Sequence, residues 1–285
     1  MRGNGKEHEG HRKKRKFEGK IIVITGASSG IGRQAAVDFV NKGAGPIILI
    51  ARSESKLLEL KKTLQVVTES KAAEIVAYTC DISKKEDVLR MGTQILERFG
   101  YIDLLINNAG FGEFGKVENQ SIEQIEAVMR TNYFGMVYST KVFLNSMLSR
   151  HSGHIVNVAS LAASFGVAGM AGYCASKYAM LGFSESLYHE LYGTGVRITV
   201  VSPIGVKTNF FNNQSFENHK PNYTGFMLEA RTVSKAILAA ANSSRLEIIV
   251  PFYVRAGVWF KHTLPYAINP VAGALFRRQL NKAPK

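Results

Sequence analysis

The sequence is short of cysteine, short of proline and free of long apolar runs, and each shortage excludes a class of protein. Cys80 and Cys174 are the only cysteines in 285 residues, and neither has neighbours at metal-ligand spacing. A disulfide framework and a metal centre are therefore not expected, and the pair reads as two reduced thiols of a cytoplasmic protein. Seven prolines and no low-complexity stretch argue for a globular chain. No run of 18 apolar residues occurs, so no transmembrane helix is expected. The basic start lacks the apolar stretch and cleavage site of a secretory signal. No repeat at solenoid or propeller spacing is visible.

Acidic residues are scarce at the two ends. The net charge is +14, of which residues 1–20 carry +5 and residues 245–285 carry +6. The basicity therefore says little about the middle of the chain. The run Arg12-Lys13-Lys14-Arg15-Lys16 reads as part of a solvated tail over 1–19. Attraction to nucleic acid or anionic lipid is its alternative, but no aromatic interleaving or fold signature supports specific nucleic-acid binding.

What is present is alternation. Ile21-Ile22-Val23-Ile24 is a short apolar run ending at Thr25-Gly26, and residues from Gly30 to Asn41 follow at helical spacing. Strands are expected at 46–50, 74–79, 103–106, 154–158 and 196–201, with helices at 53–67, 84–98, 121–148 and 173–191. Near-continuous Ile, Val and Leu strands belong in a parallel sheet covered on both faces. The expected fold is a single α/β domain over 20–250, a Rossmann-type doubly wound parallel sheet with helices on both faces. An apolar, basic extension over 251–285 follows it.

The segment Thr25-Gly26-Ala27-Ser28-Ser29-Gly30-Ile31-Gly32 lies where the first strand ends and a helix begins. Glycines there allow a tight turn and close approach of backbone to a pyrophosphate, and a helix N-terminus offers free N–H groups. The spacing T-G-x-x-x-G-x-G resembles the fingerprint of the short-chain dehydrogenase/reductase family, over about residues 18–250. Asn107-Asn108-Ala109-Gly110 is similar to the family's N-N-A-G. Cys80-Asp81-Ile82 follows the third strand, and Asp81 resembles the family's adenine-contacting aspartate; an N-cap for the next helix is its other reading.

Cofactor choice is argued from charge. Ala51-Arg52-Ser53 ends the second strand without an acid, and Arg52 can chelate a 2′-phosphate, whereas an NAD enzyme would offer an acid there. NADP(H) is expected over NAD(H). A solvated arginine is the plain alternative, and Ser29 supplies no second cation.

Tyr173 and Lys177 are four apart, on one face of a helix. With Ser160 and Asn132 they resemble the family's Asn-Ser-Tyr-Lys tetrad. That resemblance implies interconversion of a carbonyl and an alcohol by hydride transfer. Tyr173 would be the general acid/base, its pKa lowered by Lys177, and Ser160 would hold the substrate oxygen. Lys177 would also bond the nicotinamide ribose. The side chain of Asn132 would open its helix locally and hold a water that links the lysine to solvent. The plain readings are a helix-start aromatic for Tyr173, a turn-capping serine for Ser160 and a solvated polar residue for Asn132.

One departure stands out. Pro203-Ile204-Gly205-Val206-Lys207-Thr208 matches the family's P-G-x-(I/V)-x-T at Pro203, Val206 and Thr208, but Ile204 replaces the glycine. Gly205 is expected to supply the backbone freedom one place later, with nicotinamide binding retained.

Residues 209–227 correspond to the family's variable lid. Phe210, Phe211, Phe216, Tyr223, Phe226 and Met227, with Phe111 and Phe114, suit an apolar or lipid-like carbonyl, or simple packing of the lid. The extension is expected to pack on the domain, on a second subunit or on a membrane surface. The long helices at 121–148 and 173–191 imply a homodimer or homotetramer by resemblance. The rival reading is a catalytically silent NADP(H)-binding sensor or membrane-associated scaffold of the same fold.

Overall fold

The computed structural model describes residues 16–67, 74–217 and 226–280. Most of the basic tail, lid residue Tyr223 and residues 281–285 lie outside them.

The β-branched runs form strands because they suit a pleat covered on both faces. β1 (Ile22–Thr25) leads into α1 (Gly30–Asn41). β2 (Ile47–Ala51), α2 (Glu54–Val67), β3 (Ile75–Thr79), α3 (Lys85–Phe99) and β4 (Leu104–Asn107) repeat the unit. α4 (Ile122–Met129) passes through a π turn at Arg130–Phe134 into α5 (Gly135–Ser149). β5 (Gly153–Val158), α6 (Ala171–Glu190) and β6 (Val196–Pro203) follow. β7 (Val206–Lys207) pairs with β8 (Leu228–Glu229), apart from the main sheet. α7 (Ala230–Ala240) and β9 (Glu247–Val250) come next, then α8 (Val254–Thr263) and α9 (Pro265–Leu280) in the extension.

The main sheet runs β3-β2-β1-β4-β5-β6-β9, with every neighbouring pair parallel. β1 pairs with β2 on one side and β4 on the other, so the strand order reverses there. In such a sheet the crevice at the carboxyl ends of the strands is the place for a ligand. The pleat splits each strand between two cores. Ile22, Ile24, Ile47 and Leu49 pack with residues of α1, α2 and α7, including Phe39. Val23, Ile48, Ile50 and Leu105 pack with residues of α3, α5 and α6, including Phe143. Both phenylalanines are fully buried, and truncating either to alanine would cost about 3–5 kcal/mol.

The helix read over 121–148 opens into a π turn at Arg130–Phe134, around the residue where the resemblance implies a local opening. One expectation changes. Asp81 does not cap the helix after it: α3 starts at Lys85, and the Asp81 carboxylate accepts hydrogen bonds from the Ser83 N–H and hydroxyl at 3.1 and 2.8 Å. It sets the turn that precedes the helix instead.

Candidate active site

The glycine turn is built for close approach. Gly26 has φ +66°, and a Cβ there would lie 2.7 Å from the Cα of Ala109. A Cβ on Gly32 would run into the carbonyl of Gly26. Thr25 braces the same corner from behind: its hydroxyl oxygen accepts the N–H groups of Asn108 and Ala109 at 3.0 and 3.1 Å. Asn108 Nδ2 returns a bond to the Thr25 carbonyl at 3.0 Å. The first strand and the N-N-A-G segment are thereby locked together.

A cavity of about 670 Å³ opens in front of this corner. Gly26, Ser28, Ser29, Gly30, Ile31, Arg52, Ser53, Asp81, Ile82, Asn108, Ala109, Gly110, Tyr173, Lys177 and Thr208 line it. Thr25, Gly32, Asn132, Ser160, Pro203 and Val206 stand outside its lining and support it through other contacts. Lys56 lines it too, in the first turn of α2 and four residues from Arg52. Sequence reasoning missed this second cation by looking for it at Ser29; Arg52 precedes α2, so no helical spacing linked the two. Cys80 also reaches the wall. Burial, with the carboxylates of Asp87 and Asp81 nearby, pushes its thiol up to about 11, so it is no nucleophile at neutral pH.

The other end of the cavity holds Tyr173 and Lys177. The Lys177 ammonium donates to the Val158 carbonyl at 3.1 Å and lies 5.7 Å from the centre of the Tyr173 ring. No carboxylate pairs with it among the described residues, and burial pushes its pKa down to about 7. Asn132 is fully buried in the π turn. Its Oδ1 accepts the Phe111 N–H at 3.0 Å, and its Nδ2 donates to the Phe111 carbonyl and to Ser176 Oγ, both at 2.9 Å. Both amide hydrogens are thus spent on protein, which excludes the solvated reading of this side chain. The Ser160 hydroxyl accepts the Ala162 N–H at 3.1 Å and lies 3.5 Å from the Pro203 carbonyl. The turn-capping reading therefore holds for Ser160 in this state.

Lid aromatics cover this end. The Phe210 ring meets the Tyr173 ring edge-on at 5.3 Å, and Phe211 and Phe216 pack against Phe210. The turn after β6 does not use Gly205 as expected, since Gly205 is not among the glycines of positive φ. Ordinary sheet bonds hold it: Ile204 N–H to the Val250 carbonyl at 3.0 Å, and Leu228 N–H to the Gly205 carbonyl at 2.8 Å. A side chain at position 204 is tolerated for that reason.

The model of the short chain dehydrogenase family matches residues 20–219. The chain belongs to that family. Among its relatives is the bovine (Bos taurus) short-chain dehydrogenase/reductase family 16C member 6, 32% identical over 89% of this chain and 79% of its own length. The epidermal retinol dehydrogenase 2 of Mus musculus is 32% identical over 87% of this chain and 79% of its own. A solved short chain dehydrogenase/reductase from Burkholderia phymatum, in complex with NAD, is 29% identical with a TM-score of 0.77. It is matched over 87% of this chain and 94% of that one. An alcohol dehydrogenase from Thermococcus sibiricus, complexed with 5-hydroxy-NADP, is 27% identical with a TM-score of 0.71, over 82% and 96%.

This family member is an oxidoreductase of carbonyl and alcohol groups that uses a nicotinamide cofactor. Its own residues fit a dinucleotide. Ser29 caps α1 in extended conformation without a side-chain bond, so the first-turn N–H groups stay open toward the cavity. Such groups, at the positive end of a helix dipole, suit phosphate oxygens.

Proposed function

We propose that this enzyme interconverts an apolar, lipid-like carbonyl and its alcohol, prefers NADP(H) over NAD(H), and uses Tyr173 as general acid/base. The observation that carries this reading is the joint lining of one cavity by the glycine turn, Arg52, Lys56, Tyr173 and Lys177. The two cations suit the 2′-phosphate that distinguishes NADP(H), and an arginine beside a lysine suits a dianion better than either alone.

When bound in this cavity, a nicotinamide would supply hydride to the substrate carbon in reduction and accept it in oxidation. Tyr173 gives its phenolic proton to the substrate oxygen in reduction and takes it back in oxidation. Lys177 in its charged form favours the phenolate of Tyr173, and its depressed pKa leaves its own proton loosely held near neutrality. Ser160 keeps the Ala162 N–H bond and turns its hydroxyl hydrogen from the Pro203 carbonyl to the substrate oxygen. Asn132 holds the π turn and the Phe111 backbone in place, so any relay water is taken by backbone carbonyls rather than by its amide hydrogens.

Apolarity of the substrate is supported by the Phe210, Phe211 and Phe216 cluster against Tyr173 and by relatives named epidermal retinol dehydrogenase 2. Ile122 and Phe134, exposed on α4 and the π turn, suit the expected homodimer or homotetramer. The test is turnover of a retinal and long-chain ketone panel with NADPH and NADH. Tyr173→Phe should bind NADPH normally, by fluorescence quenching, yet lose about three to four orders of magnitude in kcat. Retained turnover in that variant would remove Tyr173 from its role.

A further inference from the structure

We infer that the α8–α9 hairpin is a docking surface for an anionic lipid bilayer. This goes beyond the redox reading and does not depend on it.

The hairpin exposes what a protein surface normally hides. α8 buries none of its residues. Phe252 is 84% exposed, Trp259 60% and Tyr266 95%, with Leu264 and Val271 also in solvent. So many exposed aromatic and aliphatic side chains on one helix pair mark an interaction site. Its aromatic composition is that of side chains which partition into the headgroup layer. No helix among the described residues is long and apolar enough to cross a membrane, so the fitting geometry is a helix lying in the interface plane.

Charge selects the partner. No Asp or Glu follows Glu247, whereas six Lys or Arg lie between Pro251 and Lys285. A surface that is aromatic and purely cationic complements anionic headgroups. A second copy of this chain, paired face to face through the same hairpin, would set like charges against each other.

The hairpin is also fastened to the reactive end of the domain. The Lys261 ammonium donates to the Ser164 carbonyl and, at 2.7 Å, to the Tyr178 hydroxyl. It also lies 5.3 Å from the centre of the Phe165 ring. Ser164 ends the short turn that Ser160 begins, and Tyr178 shares α6 with Tyr173. Docking therefore brings the segments that carry Ser160 and Tyr173 toward the bilayer, where an apolar substrate would be dissolved.

Trp259 is the only tryptophan in the chain, so its fluorescence reports this surface alone. The full chain is mixed with phosphatidylcholine vesicles, with or without phosphatidylserine, and followed by Trp259 emission and by flotation. The expected result is a blue shift and flotation with phosphatidylserine only, reversed by salt. A Phe252→Ala/Tyr266→Ala variant and an Arg255→Glu/Arg277→Glu variant should each lower the bound fraction about tenfold. Their fold is checked by circular dichroism, and their NADPH binding should be unchanged. Flotation equal to wild type in both variants would assign lipid binding to the basic N-terminal run and overturn the proposal. No blue shift with anionic vesicles would overturn it too, as would a dimer that these variants break while the wild type never floats.

Discussion

Asn132 and Phe111 exchange two hydrogen bonds across 21 positions of sequence, N–H to Oδ1 at 3.0 Å and Nδ2 to carbonyl at 2.9 Å. The amide works as a short strand inserted beside the loop after β4. Asn132→Ala would leave the Phe111 N–H and carbonyl and the Ser176 hydroxyl to find other partners. The expected cost is about 3 kcal/mol in urea unfolding. A loss of kcat larger than the loss of NADPH affinity should accompany it.

Lys177 ties stability to activity with opposite signs. Its pKa is depressed from 10.5 to about 7, so between those values the unfolded chain binds more protons than the folded one. Stability from this group therefore rises as pH climbs from 7 to 10.5 and is lowest below 7. Lys177→Met removes that burial penalty and loses the bonds to the Val158 carbonyl and to Met180 Sδ. It should be about 2 kcal/mol more stable at pH 7, as measured by chemical unfolding, and nearly inactive. A destabilised Met variant at pH 7 would refute the burial argument.

His154 should govern acid sensitivity. It is buried, with its ring nitrogens 3.2 Å from the Ala241 carbonyl and 3.0 Å from the Thr199 hydroxyl. Burial, with the Arg197 charge nearby, lowers its pKa from 6.5 to about 4. The unfolded chain thus takes up the proton first. The stability His154 contributes is complete above pH 6.5 and is lost as pH falls toward 4, by about 3 kcal/mol. Unfolding midpoints measured across that window should flatten in His154→Gln.

Arg52 and Lys56 should act together on cofactor choice. Arg52→Ala and Lys56→Ala are each expected to raise the NADPH KM about 10- to 100-fold while leaving the NADH KM within about threefold. Equal effects on both cofactors would show that the cations serve the pyrophosphate rather than the 2′-phosphate.

Six of the seven strands were readable because each is a short, mostly apolar run covered on both faces, whereas β9 (Glu247–Val250) was not read. The π turn was not readable from local pattern, because Arg130–Phe134 continues the helical spacing on both sides. What opens the helix is Asn132 bonding to Phe111, a contact that periodicity does not encode. Lys56 is one of several bases on α2, and only the folded chain brings it beside Arg52 at the cavity. Thr25 opens the glycine segment expected at the cofactor, but its hydroxyl is engaged by Asn108 and Ala109. The Ile204 substitution looked disruptive only because the β9 partner of that turn was not yet in view.

The bracing of Asn108 by Thr25 spans 83 positions, and β1 finds its second neighbour only in β4. During synthesis the glycine turn therefore lacks this brace until the chain past Ala109 has left the ribosome. Contacts this distant are closed late and slowly. The glycine corner of the dinucleotide site is consequently a product of the chain through β4 rather than its seed, and a nascent chain stalled before Asn108 should carry the glycine signature without binding the cofactor.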